Sequence, residues 1–139
     1  MPLFRPEEEP RVRELFDALE RPVELVVALG PEETPIAGAR DIDFGAETVR
    51  VVEALTALSD KLTHRIESEA ERYPAISIRP GGDEVGAHYY GLPWGYELGS
   101  LIGGIREAGR IESSLTDDSL ELLAALDRDL AIDVFVTPT

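Results

Sequence analysis

Apolar residues recur along this chain with two periods, and the switches between them mark its elements. Over residues 7–20, Val12, Leu15, Phe16 and Leu19 fall at i, i+3, i+4 and i+7, the stripe of a helix with one buried face. Pro6 and Pro10 suit its entry turn, and Glu7, Glu8 and Glu9 sit where a helix dipole favours anions. That acidic triplet reads as a solvated first turn rather than a cation site. Arg21-Pro22 ends the helix. Val23 to Leu29 (VELVVAL) is short, β-branched and nearly all apolar, which predicts a central strand covered on both faces. A polar loop punctuated by Pro and Gly follows over 30–45, long enough to suggest a functional or mobile segment.

The spacing of Val49, Val52, Leu55 and Leu58 predicts a helix over 46–59. Lys61 to Glu67 alternates with period two, so Leu62, His64 and Ile66 share the apolar side of a strand. A lone His in that position reads as a hydrogen-bonded core residue rather than a ligand. A short acidic connection spans 67–72. Strands over 75–79 and 85–90, joined by Pro80-Gly81-Gly82-Asp83, predict a hairpin. Gly91 to Gly95 is a turn into a helix over 96–108, with Leu98, Leu101, Ile102 and Ile105 facing inward. Gly99, Gly103 and Gly104 weaken that helix, by about 1 kcal/mol each against Ala, and predict close packing on the sheet. Thr116 begins a further helix as its cap, with Asp117 and Asp118 in the first turn and Leu115 placed to staple onto Leu120. Leu130 to Val136 (LAIDVFV) predicts a last strand.

Composition changes this picture in two ways. A net charge of −15 disfavours nucleic acid and an anionic membrane surface alike. The 139 residues hold no cysteine, which removes disulfides, thiolate metal sites and thiol chemistry from this chain. An apolar content of 43% fits one folded domain, and no run is long enough to span a bilayer. The N-terminus lacks a secretory signal pattern, so a cytoplasmic location is expected. No Gly-rich phosphate loop, G-x-S-x-G elbow or metal-ligand cluster is present in the sequence, and no cofactor or metal is expected.

The residues from Gly86 to Ile105, GAHYYGLPWGYELGSLIGGI, hold the only Trp and three of the four Tyr. They resemble the GxRYxGxPAGxEFxxLxxxI stretch in the N-terminal half of glutaredoxin-like protein disulfide oxidoreductases, which carry two thioredoxin-like units in tandem. Val134 to Thr139 (VFVTPT) looks like the start of that family's second unit, where an active-site CPYC follows. The N-terminal domain of the flavin-dependent partner of alkyl hydroperoxide reductase is a structural relative of the same group. The resemblance spans nearly the whole chain. It implies an α/β fold, a thioredoxin-like three-layer sandwich with a four-stranded mixed sheet. An extra N-terminal helix precedes it, and a shortened connection replaces the second core helix.

The resemblance also implies where function is missing. The family's first C-x-x-C falls on Ile42-Asp43-Phe44-Gly45, so both cysteine positions are lost. Tyr73-Pro74 falls on its cis-proline, which makes Pro74 a cis candidate. Residues 1–128 are then a degenerate thioredoxin-like domain, and 129–139 the first strand of a following one. The expected function is a redox-inactive domain that supports or docks a downstream C-x-x-C unit of a thiol–disulfide oxidoreductase, in cell redox homeostasis. The expected partner is that downstream unit, and the chain itself is not expected to be an enzyme. An alternative is an assembly module that forms homodimers through an exposed 130–136 edge. Tyr73, Trp94 and Tyr96 are a candidate docking surface, against the plainer expectation that Trp94 covers a helix–sheet seam. Non-thiol chemistry at Asp41, Asp43 or His88 is the weakest reading, since turn and capping roles explain those residues.

Overall fold

The structure is a computed structural model, and it describes residues 2–30, 42–68 and 72–136. Its elements run α1 (Glu9–Asp17), β1 (Val23–Ala28), α2 (Phe44–Thr56), β2 (Leu62–Glu67), β3 (Ala75–Pro80), β4 (His88–Tyr90), α3 (Tyr96–Ala108) and α4 (Asp117–Ala124). The sheet order is β2-β1-β3-β4. β1 pairs in parallel with β2 and antiparallel with β3. An apolar strand with neighbours on both edges is what VELVVAL requires, and every residue of β1 from Leu25 onward is buried.

One face of the sheet carries the core. Val23, Leu25 and Val27 of β1, Leu62 of β2 and Ile76 and Ile78 of β3 meet Phe16 and Leu19 before and after the end of α1, Val52 and Leu55 of α2, and Leu101 and Ile105 of α3. His64 lies half-buried on this face, and its Nδ1 is 2.9 Å from Thr56 Oγ1 of α2. It is the hydrogen-bonded histidine that the alternation predicts.

The opposite face carries Glu24, Val26 and Ala28, flanked in register by Thr63, Arg65 and Glu67 on β2 and by Arg79, Ser77 and Ala75 on β3. Among the described residues no helix buries a side chain against it. The reason is the connection from β2 to β3, which has only residues 68–74. Glu67 and Ala75 both pair with Ala28, so the chain need only step over one strand, about 10 Å. Seven residues are long enough to span that step.

Three expectations change. The second hairpin strand begins at His88, not at 85, because the Gly86 N–H donates to Glu84 Oε1 at 2.7 Å and Gly86 turns away with φ +76°. Residues 130–136 pair with no strand among the described residues and are exposed throughout. Of the three α3 glycines, only Gly104 is closely approached: a Cβ there would lie 3.0 Å from Ile78 Cδ1. Gly99 and Gly103 face open space. Gly109, just after α3, is the position where the chain needs no side chain, because Leu19 fills the space a Cβ would take.

These glycines make a test of packing. Gly99→Ala is expected to stabilise the fold by about 0.5–1 kcal/mol, since it removes backbone entropy from the unfolded chain and meets nothing. Gly109→Ala is expected to lower the melting temperature by driving a methyl into Leu19. Thermal unfolding followed by circular dichroism reads both.

Candidate functional site

α2 is the next element after β1, and its start is where the resemblance puts a C-x-x-C. β1 ends at Ala28, and α2 runs back along the sheet, so that Leu62 N–H at the start of β2 donates to Ser59 O at 3.1 Å. The N-terminus of α2 therefore lies at the Ala28 end of the sheet. Asp43 is its N-cap: Oδ1 accepts the Ala46 N–H at 2.9 Å. Ile42 precedes the cap and is exposed, and Phe44 and Gly45 form the half-buried first turn. Asp41 lies outside the described residues.

Pro74 reaches the same end of the sheet. It is buried, its bond to Tyr73 is cis, and its carbonyl accepts the Gly91 N–H at 2.8 Å. Ala75, next in the chain, pairs with Ala28. The Tyr73 ring lies against Gly30, close enough to leave no room for a Cβ there. One end of the sheet thus gathers the α2 cap and the cis-proline without a thiol between them.

The aromatic residues of the α3 entry divide differently. Gly95 caps α3 with φ +61°, a conformation that favours glycine. Trp94 lines an apolar groove of about 1000 Å³ between α1, α2 and α3, with Val12, Leu15, Ala54, Leu98 and Ile102. Tyr96 is 87% exposed and is not in that groove, and neither is Tyr73. The structure therefore places Trp94 at a helix–helix seam.

A polar network that pattern reading missed covers the helix-free face. Glu84 accepts from Ser77 Oγ at 3.0 Å, from the Gly86 N–H, and pairs with Arg79 at 3.1 Å and with His88 Nε2 at 3.0 Å. Arg65 pairs with Glu24 at 3.3 Å and also with Glu67. Arg72 stacks over Tyr90 at 5.3 Å and reaches Asp133 at 3.8 Å. The signal was present as charges at alternating strand positions, with partners on the same strand, on the next one or in the hairpin turn. Burial works against the Glu84 charge, yet the Gly86 N–H, His88 and Ser77 together hold its carboxyl below the usual carboxylate range. Burial, with a hydrogen bond to Glu97, pushes the Tyr89 hydroxyl well above its ordinary value. Among the described residues no group of three or more His, Asp or Glu is arranged to hold a metal ion.

A four-stranded mixed sheet with this connectivity, and a cis-proline opposite the N-terminus of its first core helix, defines a thioredoxin-like fold. Known proteins agree. The chain superposes on the NTD_N/C domain of the alkyl hydroperoxide reductase AhpF from Enterococcus faecalis with a TM-score of 0.73 and 18% identity, over 90% of this chain and 62% of that one. A protein disulfide oxidoreductase from Aeropyrum pernix superposes with a TM-score of 0.68 and 21% identity, over 88% of this chain and 55% of that one. The corresponding alkyl hydroperoxide reductase protein AhpF of Pseudomonas aeruginosa is 24% identical over 100 residues, 72% of this chain and 19% of that protein. The chain spans about a fifth of the length of the curated relatives it matches. No protein-family model matches the sequence. Among the described residues no helix is long and apolar enough to cross a membrane.

Two substitutions test this geometry. Asp43→Ala is expected to cost about 1 kcal/mol through the lost cap, read from urea unfolding midpoints. Glu84 has its folded pKa below its unfolded value, so its stabilisation is present above the ordinary carboxylate range and is lost as pH falls through the folded pKa. Glu84→Gln should therefore be less stable than the parent at pH 7, by under about 1 kcal/mol because the pairs are half-exposed. The gap should close as both are unfolded at progressively more acidic pH.

Proposed function

We propose that this chain is a redox-inactive thioredoxin-like domain of a larger thiol–disulfide oxidoreductase. In it the domain braces, or helps a partner dock on, a downstream C-x-x-C unit. The observation that carries the reading is the α2 N-terminus. Ile42-Asp43-Phe44-Gly45 stands where the resemblance puts a C-x-x-C, and the chain holds no cysteine anywhere. Dithiol–disulfide exchange proceeds through a thiolate attacking a sulfur, so a chain without thiols has no nucleophile for it. The similarity to a protein disulfide oxidoreductase and to alkyl hydroperoxide reductase subunits, and the small share of each curated relative that the chain covers, support a role inside a longer redox protein.

The scaffold retains what a thiolate there would use. A helix N-terminus favours negative charge, and here Asp43 takes that place as the cap. A second reading, an assembly module that forms homodimers, draws on the exposed, unpaired residues 130–136. Light scattering separates the two: a monomer at high concentration counts against the homodimer.

The purified chain is expected to leave the rate of insulin disulfide reduction by dithiothreitol at its uncatalysed value. The double substitution Ile42→Cys/Gly45→Cys is expected to form an intramolecular disulfide under mild oxidation, seen by mass spectrometry as a loss of two hydrogens without dimerisation. Two thiols that stay free or cross-link only between molecules would mean that 42–45 is not the vestigial active-site position.

A further inference from the structure

No residue of 116–136 belongs to the core, α4 buries none of its side chains, and 130–136 are exposed throughout. Among the described residues one ion pair joins this stretch to the rest of the molecule: Arg72 Nη2 lies 3.8 Å from Asp133 Oδ2.

The charges on the helix-free face leave Arg72 for that role. The carboxylates there are already engaged. Glu24 and Glu67 pair with Arg65, and Glu84 pairs with Arg79 and His88. Arg72 is the remaining cation. Its guanidinium sits over the Tyr90 ring, 5.3 Å from the centroid, and Tyr90 is in register with Ala75 on the same face. The ring attracts the guanidinium but carries no countercharge, and a stacked arginine has less freedom left to lose when it takes a carboxylate. Asp133 needs a cation just as much. It is the only charged residue in LAIDVFV, and among the described residues it caps no helix and closes no turn.

We propose that Arg72 is a latch. Seated on Tyr90, it holds Asp133, and with it residues 130–136, at one end of the sheet. That end is the one that gathers Pro74 and the α2 cap: Arg72 precedes Pro74 by two residues, and the Gly91 N–H, next to Tyr90, donates to the Pro74 carbonyl. The other end, where Val23 pairs with Leu62 and Pro80, has no such contact with the segment among the described residues. The latch stands without the functional reading. Its consequence rests on that reading: in a longer protein, the chain after Val136 starts beside the position where the thiols are missing.

Both side chains are about half-exposed, so the pair is open to screening and biases the position of the segment by only about two- to fivefold. It is a device that salt releases.

The chain has no cysteine, so two engineered ones carry nitroxide labels at chosen places, Glu53→Cys on α2 and Val136→Cys. Pulsed dipolar spectroscopy of the whole chain then reads where residue 136 sits. The distances should include a narrow component. Arg72→Gln and Asp133→Asn should each lower the ratio of narrow to broad component by about two- to fivefold, and both together no further than either alone, the mark of a direct pair. Tyr90→Leu should lower it less, since the ion pair survives. NaCl at about 1 M, where the screening length is about 3 Å, should do to the parent what the substitutions do and leave the variants unchanged. Asp133 lies outside the core, so its variant keeps the fold intact. A parent without a narrow component, substitutions without effect, or effects that add in the double variant would overturn the proposal. Catalysis of insulin reduction by the chain would sink the functional reading and leave these distances as they are.

Discussion

β1 is the strand on which the rest depends, because it must satisfy both its edges and both its faces with a short chain. Its edges are met by β2 and β3, and its core face by three helices. The remaining face has no helix among the described residues, and only seven residues separate β2 from β3. A sheet face without a helical layer has to be compatible with water. Here Val26 and Ala28 are the only apolar members of β1 on that side, and they lie between Arg65, Ser77, Glu67 and Ala75. The ion pairs around them are half-exposed and contribute little to stability one by one. They flank Val26 and Ala28, which are 2% and 6% exposed on that face.

The same economy shapes the candidate site. In a helix whose first turn is meant for chemistry, the positive end of the dipole is left for the reacting anion. In α2 that end is already occupied by the Asp43 carboxylate, bonded to the Ala46 N–H. The buried cis-proline remains at the same end of the sheet, held by the Gly91 N–H. Both features have structural reasons that need no thiol: a capped helix and a closed turn.

Much of this was legible in the sequence, and the failures share a cause. The central strand, the Thr116 cap, the α3 range and the position of Pro74 rest on local pattern or on a motif, and the structure has each where the residues put it. The resemblance to a tandem unit named the fold because Gly86–Ile105 carries turn glycines at fixed offsets. What pattern could not show were side-chain contacts and spatial neighbours, near or far in the chain. Residues 85–87 have strand-like alternation, but the Glu84 side chain takes the Gly86 N–H and delays the strand. Gly99 and Gly103 read like packing glycines, and only the fold shows that nothing approaches them. The Glu84 network lies within one hairpin, residues 77–88, but alternation alone does not say which way its side chains turn.

Residues 130–136 join these threads. They are as apolar as β1 and lack its neighbours, so an explanation is needed for why they do not simply pair with themselves. Antiparallel pairing of two copies centred on this strand sets Asp133 opposite Asp133, or close to it, and like charges directly across a ladder are destabilising. A charge in the middle of an open strand is a common protection of exposed edges. It opposes the homodimer. A cation beside Asp133 removes that repulsion. Arg72, held between Tyr90 and Asp133, shows the kind of group that satisfies it.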